Sequence, residues 1–180
     1  MLQIKMFFDN LRDAGLVLFL GEGNFSFSAS VLKRSQEQNM SNIYVTCYEK
    51  EMELNVDEAS QNMERIVIDE KHRKKLNEET ISKTEKSNPI KNENMAFLKS
   101  AGCHVLQGVD AEMLGQDARL ANLSFSRIVF MFPHVGGKMK IDRNRQLVQN
   151  VLKSARQLLD GNGQVVITLC KGGMEIIEHL

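Results

Sequence analysis

Residues 16–28 read LVLFLGEGNFSFS, and this stretch decides the fold. An unbroken run of five apolar residues is typical of a strand that is covered on both faces in a parallel sheet. A Gly-x-Gly turn at Gly21 and Gly23 closes the run, and a helix is expected to start near Ser26. A strand, a tight glycine turn and a helix in this order predict the first unit of an open α/β sheet.

Four further apolar runs continue the pattern, at residues 43–48, 104–107, 127–132 and 164–169. Helical spacing between them predicts helices over residues 52–67, up to Ala101, and over residues 142–159. The last helix is expected to have Asp142 as its N-cap and Gly161 just past its end. The alternation predicts an α/β, Rossmann-like open sheet of five mainly parallel strands in the order 3-2-1-4-5, with no strand after the fifth.

A charged segment at about residues 60–94 interrupts this alternation between the second and third strands. Acidic and basic residues are mixed in it, and its second half has almost no apolar face. This favours a solvated insertion within a single domain that spans residues 1–180. The alternative is an RNA-contacting arm around residues 71–75.

The composition excludes several classes of protein. Lys and Arg number 23, as do Asp and Glu, so a strongly basic nucleic-acid wrapper or a polybasic membrane binder is disfavoured. The apolar runs are too short to span a bilayer, and no secretory signal is visible. The three cysteines are far apart and form no C-x-x-C pair, which indicates buried reduced thiols and no metal site. We therefore expect an intracellular protein with neither a membrane nor a metal partner.

The glycine turn itself indicates a ligand site, because ligands of open α/β sheets bind where such turns follow the strands. Ser26 stands where a dinucleotide fingerprint has its third glycine, and no phosphate-gripping Gly-Lys-Ser/Thr follows. Both observations disfavour an NAD-dependent oxidoreductase. A nucleoside without a pyrophosphate suits the turn better. We expect S-adenosylmethionine as the cofactor, bound by Gly21, Glu22, Gly23, Asn24 and Phe25.

Two acidic residues follow the next two predicted strands. Glu49 ends the second strand, where its carboxylate can accept hydrogen bonds from both ribose hydroxyls. Asp110 follows the third strand and is placed to receive the adenine amino group. Either acid alone is more often a cap or turn residue. Their positions at successive strand ends add to the evidence for a cofactor site beside the glycine turn.

His134 follows the fourth predicted strand, where it is expected to face the reactive group of the cofactor. It is the candidate general base, and the alternative is a histidine that only holds a turn in place. Four basic residues come directly afterwards and would suit contacts with an RNA backbone, the alternative being ordinary decoration of a helix. They are Lys138, Lys140, Arg143 and Arg145.

Several blocks of the sequence resemble the large-subunit rRNA (uridine-N3)-methyltransferase-like domain. These blocks are residues 21–27 (GEGNFSF), 109–111 (VDA), 128–136 (IVFMFPHVG) and 165–169 (VVITL). Residues 143–147 (RNRQL) resemble the matching region of ferredoxin-fold anticodon-binding domain-containing relatives, whose N-terminal part is this domain. Family members are S-adenosylmethionine-dependent RNA methyltransferases, so the resemblance implies a class I methyltransferase fold. It also implies that Phe132 and Pro133 contact the substrate.

The resemblance further implies methylation of uridine N3 in ribosomal RNA, with His134 accepting the N3 proton of an unpaired or flipped base. Such a substrate suggests a location in the cytoplasm or nucleolus. Two departures from the family favour a second hypothesis. Met131 replaces an Asn of many relatives, and the chain stops before a Trp-containing helix and further strands, so the sheet is expected to be C-terminally incomplete. The second hypothesis is a non-catalytic or truncated module that keeps the cofactor pocket as a binding domain.

Overall fold

The computed structural model describes residues 8, 11–35, 39–49, 88–135, 141–169 and 173–178, the last six by their backbone alone. The chain divides into two compact units, one of Met1–Lys50 with Pro89–Leu180 and one of Glu51–Asn88. All of the second unit except Asn88 lies outside the described residues. The predicted helix over residues 52–67 and most of the predicted insertion therefore lie outside them too. The central sheet and the candidate site belong to the first unit.

A six-stranded sheet forms the centre of the first unit. Its strands are β1 (Val17–Leu20), β2 (Ile43–Thr46), β3 (His104–Leu106), β4 (Phe125–Met131), β5 (Leu159–Leu169) and β6 (Gly173–Glu178). They lie in the order β3-β2-β1-β4-β5-β6. The first five are parallel to one another, and β6 runs antiparallel to β5. The predicted Rossmann-like α/β class and the strand order 3-2-1-4-5 are confirmed.

The prediction that no strand follows the fifth is wrong. β6 pairs with β5 from Leu169↔Gly173 to Gln164↔Glu178. Its sequence, GMEIIE, mixes two glutamates with three apolar residues, so it lacks the continuous apolar run of a buried strand. An edge strand tolerates charged residues because only one of its sides must pair with the sheet.

β1 shows why these strands have continuous apolar sequences. All four of its residues are buried, and they alternate between two hydrophobic clusters on opposite faces of the sheet. Val17 and Phe19 pack with residues of one cluster, which include Ala29, Leu32 and Leu98. Leu18 and Leu20 pack with residues of the other, which include Ile128, Val151 and Ala155. A strand covered on both faces has no position that favours a polar side chain.

Among the elements whose bounds the structure describes, three α-helices accompany the sheet: α1 (Ser26–Ser35), α2 (Pro89–Ser100) and α3 (Ile141–Arg156). The described ranges also contain short 3₁₀-helices at Leu11–Asp13 and Ala111–Gln116. The start of α1 at Ser26 agrees with its prediction, and α2 ends one residue before Ala101. Residues 89–94, at the end of the charged segment, belong to α2 and are helical. Asn94, the last residue of that segment, is buried, which its charged composition did not indicate, and Leu98 of the same helix is buried too.

The predicted bounds of α3 are wrong at both ends. The helix starts at Ile141, which puts Asp142 in its first turn, and it ends at Arg156. Leu159 already belongs to β5 and pairs with Phe125, and Gly161 lies inside the same strand. Leu158 and Leu159 fit a helical stripe and a strand equally well. The hydrogen bond from Phe125 N to Leu158 O, 2.7 Å long, ties them to the sheet.

Cys47 and Cys103 are free and buried, as predicted, and Cys170 lies outside the described residues. Burial raises the pKa of both thiols, that of Cys103 to about 12. Within the part of the chain that the structure describes, no helix has the length and apolar character needed to cross a membrane.

Candidate functional site

The glycine turn after β1 is held in place by β2 and β4. Gly21 has φ +66°, a conformation that suits glycine, and a Cβ there would lie 2.6 Å from the ring of Phe130. The backbone N–H of Glu22 donates to the carbonyl of Thr46 over 2.9 Å. The buried Thr46 hydroxyl in turn donates to the carbonyl of Phe19 over 3.1 Å. The turn therefore has a defined shape before any ligand arrives.

Glu22 ties this turn to the start of α1. Its carboxylate oxygens accept from the backbone N–H and the hydroxyl of Ser28, each over 3.1 Å. A carboxylate at a helix N-terminus satisfies N–H groups that have no partner within the helix. The side chain is only 8% exposed. Burial raises the pKa of Glu22 to about 7, although the hydrogen bonds from Ser28 act in the opposite direction.

Helix α2 contacts the same turn from the other side. The side-chain amide of Asn94 donates to the carbonyl of Asn24 over 3.0 Å, and Asn94 is 7% exposed. The next residue, Phe25, has φ +59°, which is unusual for a residue with a side chain. Its ring is buried in a core cluster. The amide of Asn94 thus fixes the peptide directly before a strained residue.

The chain after β4 forms the opposite wall. Phe132 has φ +52° and donates its N–H to Thr168 O over 2.9 Å, while Pro133 is buried. His134 is exposed, and its Nδ1 lies 3.0 Å from the carbonyl oxygen of Phe132. A carbonyl oxygen only accepts, so Nδ1 carries a proton in this contact, and a neutral ring offers Nε2 as its acceptor. The N–H of Val135 donates to the side chain of Asn144 on α3.

Asp110 stands at the third strand end and caps the 3₁₀-helix Ala111–Gln116. Its Oδ1 accepts from the N–H of Glu112 over 2.9 Å. Asp110 is therefore a cap, as the predicted alternative had it. Asp110 also lines the cavity described next, so capping and ligand binding do not exclude each other.

These segments enclose a cavity of about 520 Å³ at the carboxyl ends of the parallel strands. Eight of the residues predicted from the sequence line it: Gly21, Glu22, Gly23, Asn24, Asp110, Phe132, Pro133 and His134. A Cβ on Gly23 would meet no other atom within 4 Å, so the turn leaves open space at that point. The sequence analysis placed these residues at one edge of the sheet, and the structure brings them together there.

Other predicted residues lie elsewhere. Phe25 is in the core and does not line the cavity. Glu49 is not among the lining residues either, because its carboxylate pairs with Lys91 of α2 at 2.6 Å. Arg143 and Arg145 are exposed on α3, where Arg145 lies 3.5 Å from Asp142. Lys138 and Lys140 lie outside the described residues.

Sequence reasoning missed several lining residues. Tyr48 lines the cavity directly before Glu49 and is 72% exposed. Glu112 and Leu147 also line it, from the 3₁₀-helix Ala111–Gln116 and from α3. An exposed aromatic residue beside a strand end was a usable signal for Tyr48. Nothing in the local pattern distinguished Glu112 from an ordinary first-turn acid.

The cavity wall is acidic. Glu22, Asp110 and Glu112 line it, and no lysine or arginine does so among the described lining residues. Such a wall favours a cationic ligand over a polyphosphate. In the described ranges, no group of three or more His, Cys, Asp or Glu side chains could hold a metal ion.

The chain has recognisable relatives. Ferredoxin-fold anticodon-binding domain-containing protein 1 of Homo sapiens is 29% identical over 156 residues, which cover 87% of this chain and 20% of that protein. An uncharacterized protein of Arabidopsis thaliana is 27% identical over 160 residues, covering 84% of this chain and 61% of that one. The chain thus spans about a fifth of the length of the human relative.

A solved structure resembles the fold. The crystal structure of TrmN from Thermus thermophilus matches with a TM-score of 0.50 at 14% identity, covering 93% of this chain and 38% of that chain. At this identity the likeness concerns the fold alone.

The match to a family is more extensive. The family model described as rRNA (uridine-N3-)-methyltransferase BTM5-like matches residues 18–76 and 76–177. These two segments include the glycine turn, the 3₁₀-helix that Asp110 caps and the chain after β4, which are the parts that form the cavity. They also carry the blocks on which the resemblance was based. The chain therefore belongs to the BTM5-like rRNA (uridine-N3-)-methyltransferase family.

Proposed function

We propose that this chain is an S-adenosylmethionine-dependent methyltransferase domain that acts on N3 of uridine in ribosomal RNA. The observation that carries the proposal is the acidic cavity between the glycine turn and His134, in a chain of this family.

The cavity fits this cofactor. Its volume of about 520 Å³ lies within the usual range for sites of small molecules, roughly 300–1,000 Å³. The open space at Gly23 lets a ligand approach the backbone closely. The carboxylates of Asp110 and Glu112, joined by Glu22 when it is ionised, suit a sulfonium cation, whereas the pyrophosphate of NAD would find no cation among the described lining residues.

Different walls of the cavity would bind different parts of the cofactor. The glycine turn and Glu22 would hold the amino-acid end, and Asp110 would use its second oxygen, Oδ2, for the adenine amino group. Glu49 would serve the ribose only after leaving Lys91. When bound, the cofactor supplies an activated methyl group. The remaining work of the protein is to orient the target base and to remove its proton.

His134 is the group proposed to remove that proton. Uracil N3 is a poor nucleophile until its proton leaves, and Nε2 of a neutral imidazole can accept it. The contact of Nδ1 with Phe132 O keeps the other nitrogen in the acceptor state. The exposed ring of Phe132, 49% accessible at the cavity wall, offers a surface on which an unstacked base could lie.

Met131 favours a second candidate function, that of a non-catalytic module which binds the cofactor. Its thioether lines the cavity and accepts a hydrogen bond from the hydroxyl of Thr168 over 3.4 Å. A thioether is a weak acceptor and could not orient a uracil as an amide would.

Two measurements test the proposal. Calorimetry should detect binding of S-adenosylmethionine and none of NAD. Transfer of a labelled methyl group to ribosomal RNA, followed by nucleoside mass spectrometry, should yield 3-methyluridine. Binding without transfer would favour the non-catalytic module, and binding of NAD alone would overturn both candidates.

A further inference from the structure

A second cleft lies beside the main cavity, between the 3₁₀-helix Ala111–Gln116 and α3. Its volume is about 310 Å³. The residues that line it are Glu112, Met113, Gly115, Gln116, Asn150, Lys153, Ser154 and Gln157. Glu112 lines the main cavity as well, so the two spaces adjoin at this side chain.

The walls of the second cleft are held by specific contacts. The hydroxyl of Ser154, a residue only 5% exposed, accepts from the backbone N–H of Leu114 over 2.7 Å and so fixes the 3₁₀-helix against α3. The Asn150 amide donates to Glu112 Oε2 over 2.5 Å. A Cβ on Gly115 would collide with the side-chain amide oxygen of Gln157. The two elements therefore approach closely at the floor, and polar side chains remain around the opening.

The chemistry of this lining suits a nucleotide. Gln116 and Gln157 each carry an amide, which can both donate and accept and can therefore pair with the edge of an unstacked base. The Asn150 amide instead donates to Glu112 and accepts from Gln146, so it shapes the wall of the cleft. Lys153 adds a positive charge that can contact a phosphate. The main cavity has no cation among its described lining residues, so an RNA chain that enters it needs a positive contact nearby.

We propose that the second cleft binds a nucleotide next to the target uridine in single-stranded RNA, with Lys153 at its phosphate and the amides at its base edge. This inference rests on the proposed function, because it takes the main cavity as the site of the target base. It adds a substrate-binding site on α3, whose charged residue Lys153 lies eight positions after Arg145 of the predicted basic cluster.

The test compares Lys153→Ala with Lys99→Ala. Both lysines are exposed and lie in the last turn of a helix, α3 for Lys153 and α2 for Lys99. The probes are the labelled trinucleotide UpUpU, measured by fluorescence anisotropy over a range of salt concentrations, and uridine 5′-monophosphate as a competitor. Thermal melts check that both variants fold.

Lys153→Ala should weaken binding of UpUpU several-fold and reduce the slope of log K against log salt by about 0.7, as for one lost phosphate contact on a single strand. Uridine 5′-monophosphate, which carries a phosphate of its own, should also bind Lys153→Ala more weakly. Affinity for S-adenosylmethionine should stay unchanged, and Lys99→Ala should behave as wild type. Gln116→Ala, which removes an exposed lining amide, should also weaken UpUpU but leave the salt slope unaltered.

The outcomes separate this inference from the proposed function. If methyl transfer occurs and Lys153→Ala binds UpUpU like wild type, the second cleft is not a nucleotide site, although the function stands. If UpUpU binds with the expected dependence on Lys153 but S-adenosylmethionine does not bind, the cleft stands and the function fails. A wild-type protein that binds no UpUpU overturns the inference.

Discussion

The imidazole of His134 is oriented by the backbone carbonyl of Phe132, two residues earlier, which its Nδ1 contacts. If Nε2 is the base, His134→Ala should lower the methylation rate about 100- to 10,000-fold and leave cofactor affinity nearly unchanged. Higher pH should recover part of the rate, because uracil N3 then ionises without help. Single-turnover kinetics over a range of pH, with calorimetry on the same variant, would measure both effects.

The competing role for His134 is to hold the turn after β4 in place. That role predicts a lower melting temperature together with weaker cofactor binding, and no recovery at high pH. His134→Gln is the matched control, since its amide can still donate to Phe132 O but is not a base. A glutamine variant with the wild-type rate would remove His134 from the mechanism.

Gly21 and Gly23 form a second matched pair at the residue scale. Gly21→Ala should destabilise the fold by about 1–3 kcal/mol, because a side chain would meet both a positive φ and the ring of Phe130. Gly23→Val should leave folding nearly intact but abolish cofactor binding, since its side chain would fill the open space. Urea unfolding and calorimetry on both variants would separate the two roles. An equal loss of stability in the two variants would contradict these separate roles of Gly21 and Gly23.

Glu22 should make stability depend on pH. Its folded pKa of about 7 lies above the ordinary value of 4.5, so the folded state holds the proton more tightly than the unfolded state. The stabilisation from the protonated carboxyl is then complete below about pH 4.5 and is lost as the pH rises through about 7. Relative to Glu22→Gln, the wild type should lose up to about 3 kcal/mol across this range.

Urea unfolding of both proteins at several pH values would measure this difference. The glutamine variant keeps the shape of the side chain without its titration, so its curve supplies the baseline. Parallel curves for the two proteins would show that burial does not perturb Glu22.

At the scale of elements, α2 links the glycine turn to the rest of the fold. Asn94→Ala should destabilise the protein by about 1–3 kcal/mol, because it leaves the carbonyl of Asn24 without its buried donor. It should also weaken cofactor binding by loosening the turn. Asn92→Ala, at an exposed position on the same helix, is the control and should change neither property. Chemical unfolding and calorimetry on the pair would measure both effects.

The elements differ in how well their sequences predicted them. β1 was predictable because burial on both faces makes its sequence uniformly apolar. β6 was not, because an edge strand may carry glutamates. The end of α3 was misplaced because Leu158 and Leu159 suit either a helix or a strand, and only the pairing of Leu159 with Phe125 decides between them.

The same reasoning applies to the site. Topology alone placed the glycine turn, Asp110 and His134 at one edge, since carboxyl ends of parallel strands meet there. The direction of the Glu49 side chain was not predictable, because it depends on Lys91, which lies 42 positions later, near the end of the charged segment. Asn94 escaped notice for a similar reason: its partner, Asn24, lies on a distant part of the chain.

At the scale of the whole molecule, the parts of the cavity come from both ends of the first unit. The glycine turn lies near the start of the chain, and α3 and the turn after β4 lie in its last third. The cavity therefore draws on the ends of β1, β2, β3 and β4, and not on one βαβ unit. Its extent agrees with the family match, which runs through residues 18–76 and 76–177.

The central position of β1 in the sheet also affects how the protein folds. β1 pairs with β4, and the hydrogen bond from the Ser126 hydroxyl to Leu16 O joins residues 110 positions apart. Pairings of such high sequence separation slow folding far more than they affect equilibrium stability. During synthesis, one edge of the apolar strand β1 stays open until the ribosome has passed β4, and open strand edges of this kind promote aggregation. Until β4 has been synthesised, β1, the strand that positions the glycine turn, therefore needs rapid completion of the chain or chaperones to protect its open edge.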